Sequence, residues 1–186
     1  MDELELHGRA LDIAALVVAG VKPGYMVSAT PCPEWDVRAV MNHMVGGNRM
    51  FAAFALGQEA QPRVPGVDLV GDDPAGVYTT TAADASKAWR SDGALERMMT
   101  LPIGTLPGSV VVGMHGFDHY VHAFDIASAT GQLGTLDDEL STVYLERAKG
   151  IPVAFRGPGK PFGVELIASD GASIHERMAA ATGRKI

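Results

Sequence analysis

The sequence predicts an all-α fold, an antiparallel bundle of four substantial helices joined by long loops. Two observations carry that prediction. Apolar residues recur at spacings of three and four through four long stretches, the period of a helix with one buried face. Clusters of proline and glycine separate those stretches, where helices stop. A third observation agrees with both. At 186 residues, 47% apolar and 20% charged, the chain has the composition of a globular domain large enough to bury a core, and residues 1–186 read as one domain.

Residues 2–20 read as the first helix, with Leu4, Leu11, Ala14, Ala15 and Val18 roughly on one face. Its apolar run over 11–21 is too short to span a bilayer and belongs to the core. Val21-Lys22-Pro23-Gly24 ends it. Thr30-Pro31-Cys32-Pro33-Glu34-Trp35 is a two-proline loop, with Trp35 packing it onto the bundle and Asp36 as the N-cap of the next helix. Val37, Val40, Met41, Met44, Val45, Asn48, Phe51 and Ala52 then repeat at three and four. Gly46-Gly47 interrupts this second helix at a cost of about 1 kcal/mol per glycine relative to alanine. Such a pair points to a close helix approach or to room for a ligand. Gly57 ends the helix.

Residues 58–73, with Pro62, Pro65, Gly66 and Gly71, read as a loop. Pro74 opens a third helix that buries Val77, Thr81, Ala85, Ala88 and Trp89. Residues 98–106 suit a short extended excursion. The fourth helix runs from about Ser109 to Thr130, with Gly131 as its stop. Another helix begins within 135–139 and ends at Gly150. Residues 151–172 hold Pro152, Pro158 and Pro161 and read as a long wrapping loop or as edge structure, before a last short helix over 173–182.

Fifteen basic against 22 acidic residues give a net charge of −7 and a pI near 5.3. No basic stripe is present, which argues against a nucleic-acid partner. The acidic start, Met-Asp-Glu-Leu-Glu, does not read as a signal peptide, and no stretch reads as a membrane span. The single cysteine, Cys32, excludes an internal disulfide and fits a reducing cytoplasm.

The chemistry concentrates in one stretch, Gly113-Met114-His115-Gly116-Phe117-Asp118-His119-Tyr120-Val121-His122-Ala123-Phe124-Asp125. On a helix, residues four apart lie one turn above each other. Asp118 and His122 are such a pair, as are His115 and His119. Against the stripe Val110, Met114, Phe117, Val121 and Phe124, Asp118 and His122 sit on the shoulder, about 40° apart at 100° per residue. His115 and His119 lie further round and read as flanking polar residues, and Asp125 reads as structural. His43, on the flank of the second helix, is the outstanding third ligand. His7 and His175 have no partner at helical spacing. Two imidazoles and one carboxylate suit a divalent transition metal, zinc first, with nickel and iron as alternatives. Three protein ligands leave a position open for water or substrate, the layout of a catalytic zinc site. The bland alternative is a buried His–Asp pair that braces helix packing without metal. Cys32 reads as a small buried side chain at the far end of two helical turns from His43, and the nine methionines read mainly as core filling.

Three segments resemble a known family. Thr30-Pro31-Cys32-Pro33-Glu34-Trp35-Asp36-Val37-Arg38, followed by Asn42-His43 and Gly46-Gly47-Asn48-Arg49, is similar to the opening of the actinobacterial DinB-like metal-binding proteins. These are related to the N-terminal domain of mycothiol-dependent maleylpyruvate isomerase. Asp118, His122, Asp125-Ile126-Ala127, Ala129-Thr130-Gly131 and the ending Thr182-Gly183-Arg184 resemble the family's later motifs. The resemblance implies a DinB-like four-helix bundle with unusual connectivity. It implies a metal held by His43, Asp118 and His122, the residues that spacing selects. It also implies a low-molecular-weight thiol such as mycothiol as co-substrate, used for S-transfer or isomerisation of a small electrophile. The chain departs from the family at Asp118, where the isomerase carries glutamate, and at Phe124, where tryptophan is usual. The isomerase's additional C-terminal domain has no counterpart in these residues, so transfer is expected over isomerisation. The alternative is a non-catalytic metal- or ligand-binding bundle, and an exposed helix face would permit a homodimer.

Overall fold

The computed structural model describes residues 1–60, 66–101 and 103–186. Pro62 and Pro65 of the expected 58–73 loop, and Pro102 of the extended excursion, lie outside the described residues. Four long helices form the bundle: α1 (Glu3–Ala19), α2 (Val37–Ala55), α3 (Pro74–Trp89) and α4 (Gly108–Thr130). They close a ring in which α4 packs on α1 and α2, and α3 packs on the other faces of α1 and α2. Sequential neighbours α1 and α2 therefore sit across the bundle from each other, which is the unusual connectivity the motifs imply. Helices α5 (Asp138–Lys149) and α6 (Ile174–Ala181) pack together outside the ring, with α6 reaching α4.

The helix starts follow capping chemistry. Side chains of Asp2, Asp36, Asp73 and Asp137 each accept from the backbone N–H three residues on, satisfying donors that the first turn leaves without partners. Ser173 and Glu176 form a reciprocal capping box on α6. Gly131 stops α4 at φ 72°, a left-handed backbone that glycine adopts without steric cost. The excursion over 98–106 is a hairpin, β1 (Met98–Leu101) antiparallel to β2 (Gly104–Pro107), with Met98 opposite Pro107.

One departure from the sequence pattern matters for function. Helix α4 is buried nearly all round: His115, Tyr120, Ala123, Phe124, Asp125 and Ile126 are fully covered, whereas Val110 of the expected stripe is exposed. A helix covered on all sides cannot be read from one apolar face. Its closeness to α1 depends on Gly116, where a Cβ would stand 3.0 Å from the His7 backbone and 2.9 Å from the Tyr144 hydroxyl. On α3 the expectation missed Tyr78 and Ala82, both buried, while Val77 and Thr81 are only half-buried. Among the methionines, Met41, Met44, Met99 and Met178 fill the core, but Met1 and Met98 are exposed. No helix among the described residues is long and apolar enough to cross a membrane.

Candidate metal centre

His43 on the second turn of α2 meets Asp118 and His122 on consecutive turns of α4, where the two helices pack. His43 Nε2 lies 3.1 Å from Asp118 Oδ2 and 3.4 Å from Oδ1. His122 Nε2 lies 3.7 Å from Asp118 Oδ1. The imidazoles of His43 and His122 stand nearly edge-on, 4.6 Å between centroids. An ion with 2.0–2.1 Å bonds at tetrahedral angles needs ligand atoms about 3.3 Å apart. The separations to Asp118 bracket that value and all three ligand atoms lie within 4.8 Å of one another, so the donor set is compatible with a divalent ion. About a third of the Asp118 side chain (34%) reaches solvent, whereas His122 is covered, so the cluster opens on the Asp118 side. Burial works against the Asp118 carboxylate. The positive charge of His43, its hydrogen bond and the charge of His122 override burial and hold the carboxyl well below its usual range.

Behind His122 stands a support that the sequence did not announce. Its Nδ1–H donates to Asp125 Oδ2 at 2.9 Å, and Asp125 also accepts from Arg184 Nη2 at 3.0 Å and Nε at 3.2 Å. Asp125 and Arg184 are both buried. Burial disfavours the Asp125 carboxylate, yet Arg184 and His122 keep it below its ordinary pKa. A carboxylate on one ring nitrogen fixes the tautomer and turns the other nitrogen outward as a ligand. Asp125 does take a hydrogen bond from outside its helix, as a structural residue would, but it also orients His122. Only the Thr-Gly-Arg ending hinted at Arg184.

The 30–36 loop folds back over α2 and closes this end. Glu34 turns the chain at φ 70°, a left-handed backbone that costs a non-glycine residue about 1–2 kcal/mol. The Thr30 hydroxyl donates to the Trp35 carbonyl at 2.9 Å, and Ala29 bridges Asp36. Trp35 packs on the core as expected, and its ring also lies 4.7 Å from that of His43 and stacks on His122 at 5.6 Å. Cys32, expected far from the site, instead sits beside His122 and Asp125, with ligand atoms all within 4.8 Å of one another. The fold-back of the loop brings it there, a consequence of tertiary packing that helical arithmetic cannot supply. Burial, then the charge of Asp125, pushes its thiol up to about 11, so it stays protonated at neutral pH.

His115 and His119 are core residues, contrary to their expected place on the flank. The Trp89 indole, which can only donate, gives its N–H to His115 Nδ1 at 3.1 Å, so His115 Nε2 carries the proton toward Asn48 Oδ1 at 3.0 Å. His7 Nε2 is 2.9 Å from the same His115 Nδ1 and must therefore be its second donor. Tyr78 bonds His119 Nδ1 at 2.8 Å. Burial, helped by the Arg90 charge, pulls His7 down to about 3, and burial likewise takes His119 to about 3. His175 lies elsewhere, bonded to Ser141 at 2.7 Å and close to Asp138.

Comparisons with known proteins establish the family and the fold. The sequence model described as the mycothiol maleylpyruvate isomerase N-terminal domain matches residues 7–127. An uncharacterized protein of Mycobacterium tuberculosis, in the CDC 1551 / Oshkosh and H37Rv strains, is 34% identical over 187 residues, covering 100% of both chains. The crystal structure of the mycothiol-dependent maleylpyruvate isomerase superposes with a TM-score of 0.59 at 15% identity, over 79% of this chain and 68% of that one. A histidine-to-alanine mutant of that enzyme superposes at 0.64 and 14% identity, over 89% and 74%. At such identities the likeness to the solved structures is one of fold. The 34% identity over the full length and the match across 7–127 go further: this chain belongs to the mycothiol maleylpyruvate isomerase N-terminal domain family.

Proposed function

We propose that the protein is a single-domain, cytoplasmic metalloenzyme that uses a low-molecular-weight thiol, mycothiol or a close analogue, to act on a small electrophile. S-transfer is the favoured reaction. The observation that carries the reading is the convergence of His43 Nε2, Asp118 and His122 Nε2 at 3.1 and 3.7 Å, with the far nitrogen of His122 tied to Asp125. Those three side chains would hold a divalent ion, zinc first and nickel or iron as alternatives. Such an ion, when bound, lowers the pKa of a coordinated thiol so that it is present as thiolate at neutral pH. The chain's own residues do the rest. His43 and Asp118 present their donor atoms at the open side of the cluster. Asp125 and Arg184 fix the tautomer and ring angle of His122. Trp35 covers the imidazoles and keeps water from one side of the site. Cys32, held protonated, does not compete as a nucleophile.

The test is to load the protein with cobalt(II) and add mycothiol. The proposal expects an intense near-ultraviolet thiolate-to-cobalt band that titrates to one thiol per metal and is missing from His43→Ala. A protein whose spectrum ignores the thiol, and whose melting temperature collapses on chelation, would be a bundle braced by its metal and not a thiol enzyme.

A further inference from the structure

Arg184 reaches Asp125 from just past the end of α6, so what places that helix end bears on His122. The end is a Schellman motif. The Gly183 N–H donates to the Ala180 carbonyl at 2.9 Å and the Arg184 N–H to the Ala179 carbonyl at 3.1 Å. Gly183 takes the left-handed φ of 88° that the motif needs. The next two carbonyls are met from the loop between α5 and α6. Thr182 accepts from the Gly163 N–H at 3.2 Å, and Ala181 accepts from Arg156 Nη1 at 2.7 Å.

Arg156 gathers three pieces of chain around one guanidinium. Nε donates to the Ile151 carbonyl at 3.2 Å and Nη2 to the Ala148 carbonyl near the end of α5, while Nη1 holds the end of α6. A cation there meets carbonyls that the two helices leave without internal partners, and the negative ends of both helix dipoles. The loop that carries Arg156 is itself pinned. The Gly157 N–H donates to the Phe162 carbonyl at 2.8 Å, and the Phe162 ring lies 5.9 Å from that of Phe117 on α4. One residue on, the loop crosses the tail backbone to backbone. A Cβ on Gly163 would stand 3.0 Å from the Gly183 Cα, and one on Gly183 would stand 2.4 Å from the Gly163 Cα. Beyond this crossing the Arg184 side chain enters the core, where it is buried against Asp125.

Resting on the metal reading above, we propose that Arg156 is a positioning residue for the metal centre. It clamps the end of α6 against the Gly163–Gly183 crossing, and the clamp sets Arg184, then Asp125, then the ring of His122. Metal affinity and the order of the tail are thereby coupled, and each changes the other by the same factor.

The experiment measures zinc affinity of the full chain by competition with a chromogenic chelator, with circular dichroism to verify folding. Arg156→Ala should weaken zinc binding about ten-fold, the lower end of the loss expected when the support behind a ligating histidine is removed. Gly163→Ala, a milder push on the tail, should weaken it too, and it carries the test if Arg156→Ala does not fold. In an Arg184→Met background Arg156→Ala should have no further effect, because the path runs through Arg184. Arg147→Ala breaks the tie from α5 to Glu3 on α1 and leaves the clamp intact, so it should bind zinc as the wild type does. Zinc should also slow hydrogen exchange at the Gly163, Gly183 and Arg184 amides of the wild type, and not in Arg156→Ala. Wild-type affinity in both clamp variants, the same loss in Arg147→Ala, the same loss with and without Arg184, or exchange indifferent to zinc each overturns the positioning role and leaves the metal reading standing. A wild type that binds no zinc overturns both.

Discussion

Replacing Asp125 by asparagine separates two roles that one carboxylate plays. Asp125 is fully buried between His122 and Arg184, and Arg184 is itself covered. Asparagine keeps the shape and one acceptor but leaves the guanidinium buried beside a neutral amide. Removing one partner of a buried pair costs about 3–5 kcal/mol, because the remaining charge has neither water nor counter-ion. For a chain of this length that is a fall in melting temperature of roughly 6–20 °C. Losing the carboxylate behind a metal-binding imidazole should also weaken metal affinity about 10–100-fold. The double variant Asp125→Asn/Arg184→Met removes the stranded charge as well, and most of the stability should return. Its metal affinity should stay low, since a neutral amide behind His122 no longer raises the basicity of the ligating nitrogen as the carboxylate does. Thermal melts of metal-free protein and competition against a chromogenic chelator read the two quantities separately. A single variant that loses under 1 kcal/mol refutes the electrostatic part. A double variant that regains tight metal binding refutes the role given to the carboxylate behind His122.

Other outcomes follow from the same geometry. His7, held down at about 3 by burial, is neutral in the folded protein, whereas the unfolded chain takes up a proton near 6.5. Its contribution is therefore present above that pH and lost as pH falls toward 3, with a slope of up to about 1.4 kcal/mol per pH unit. Urea melts between pH 7 and 4 should show that slope in the wild type and a shallower one in His7→Leu; equal slopes would contradict the argument. Gly116→Ala should cost about 1–3 kcal/mol, since the new methyl meets the α1 backbone and the Tyr144 hydroxyl. A neutral outcome in a denaturant melt would mean that α1 and α4 part more easily than their packing implies. Cys32, pushed up to about 11, should react with a disulfide reagent at pH 8 roughly two orders of magnitude more slowly than free cysteine. Labelling at the free rate would place the thiol in a different environment.

The parts of this fold legible in the sequence are those that local physics sets. Asp36 before an apolar period, Gly131 after one, and Ser173 three residues before Glu176 mark helix ends in the sequence as they do in three dimensions. The three side chains of the candidate centre were legible for a related reason. Asp118 and His122 are one turn apart, and His43 flanks the apolar stripe of another helix, so packing α2 on α4 joins them. The rest depended on tertiary structure. Helix α4 is covered nearly all round, so an angle measured from its apolar stripe misplaced His115 and His119, which are buried in a network with Trp89, Asn48 and Tyr78. Cys32 and Trp35 reach the site through a loop whose fold-back turns on Glu34 in a left-handed conformation, which no propensity for glutamate predicts. Arg184 meets Asp125 across 59 residues, a pairing that periodicity cannot encode.

The central claim is that His43, Asp118 and His122 hold a metal together. Its most direct test is elemental analysis of the purified wild type and of His43→Ala, each reconstituted with zinc and freed of excess, alongside circular dichroism to verify that both are folded. The account predicts about one zinc per wild-type chain and almost none in the folded variant, because two remaining ligands hold an ion far more weakly than three. Equal zinc in both proteins, or none in the reconstituted wild type, would contradict it.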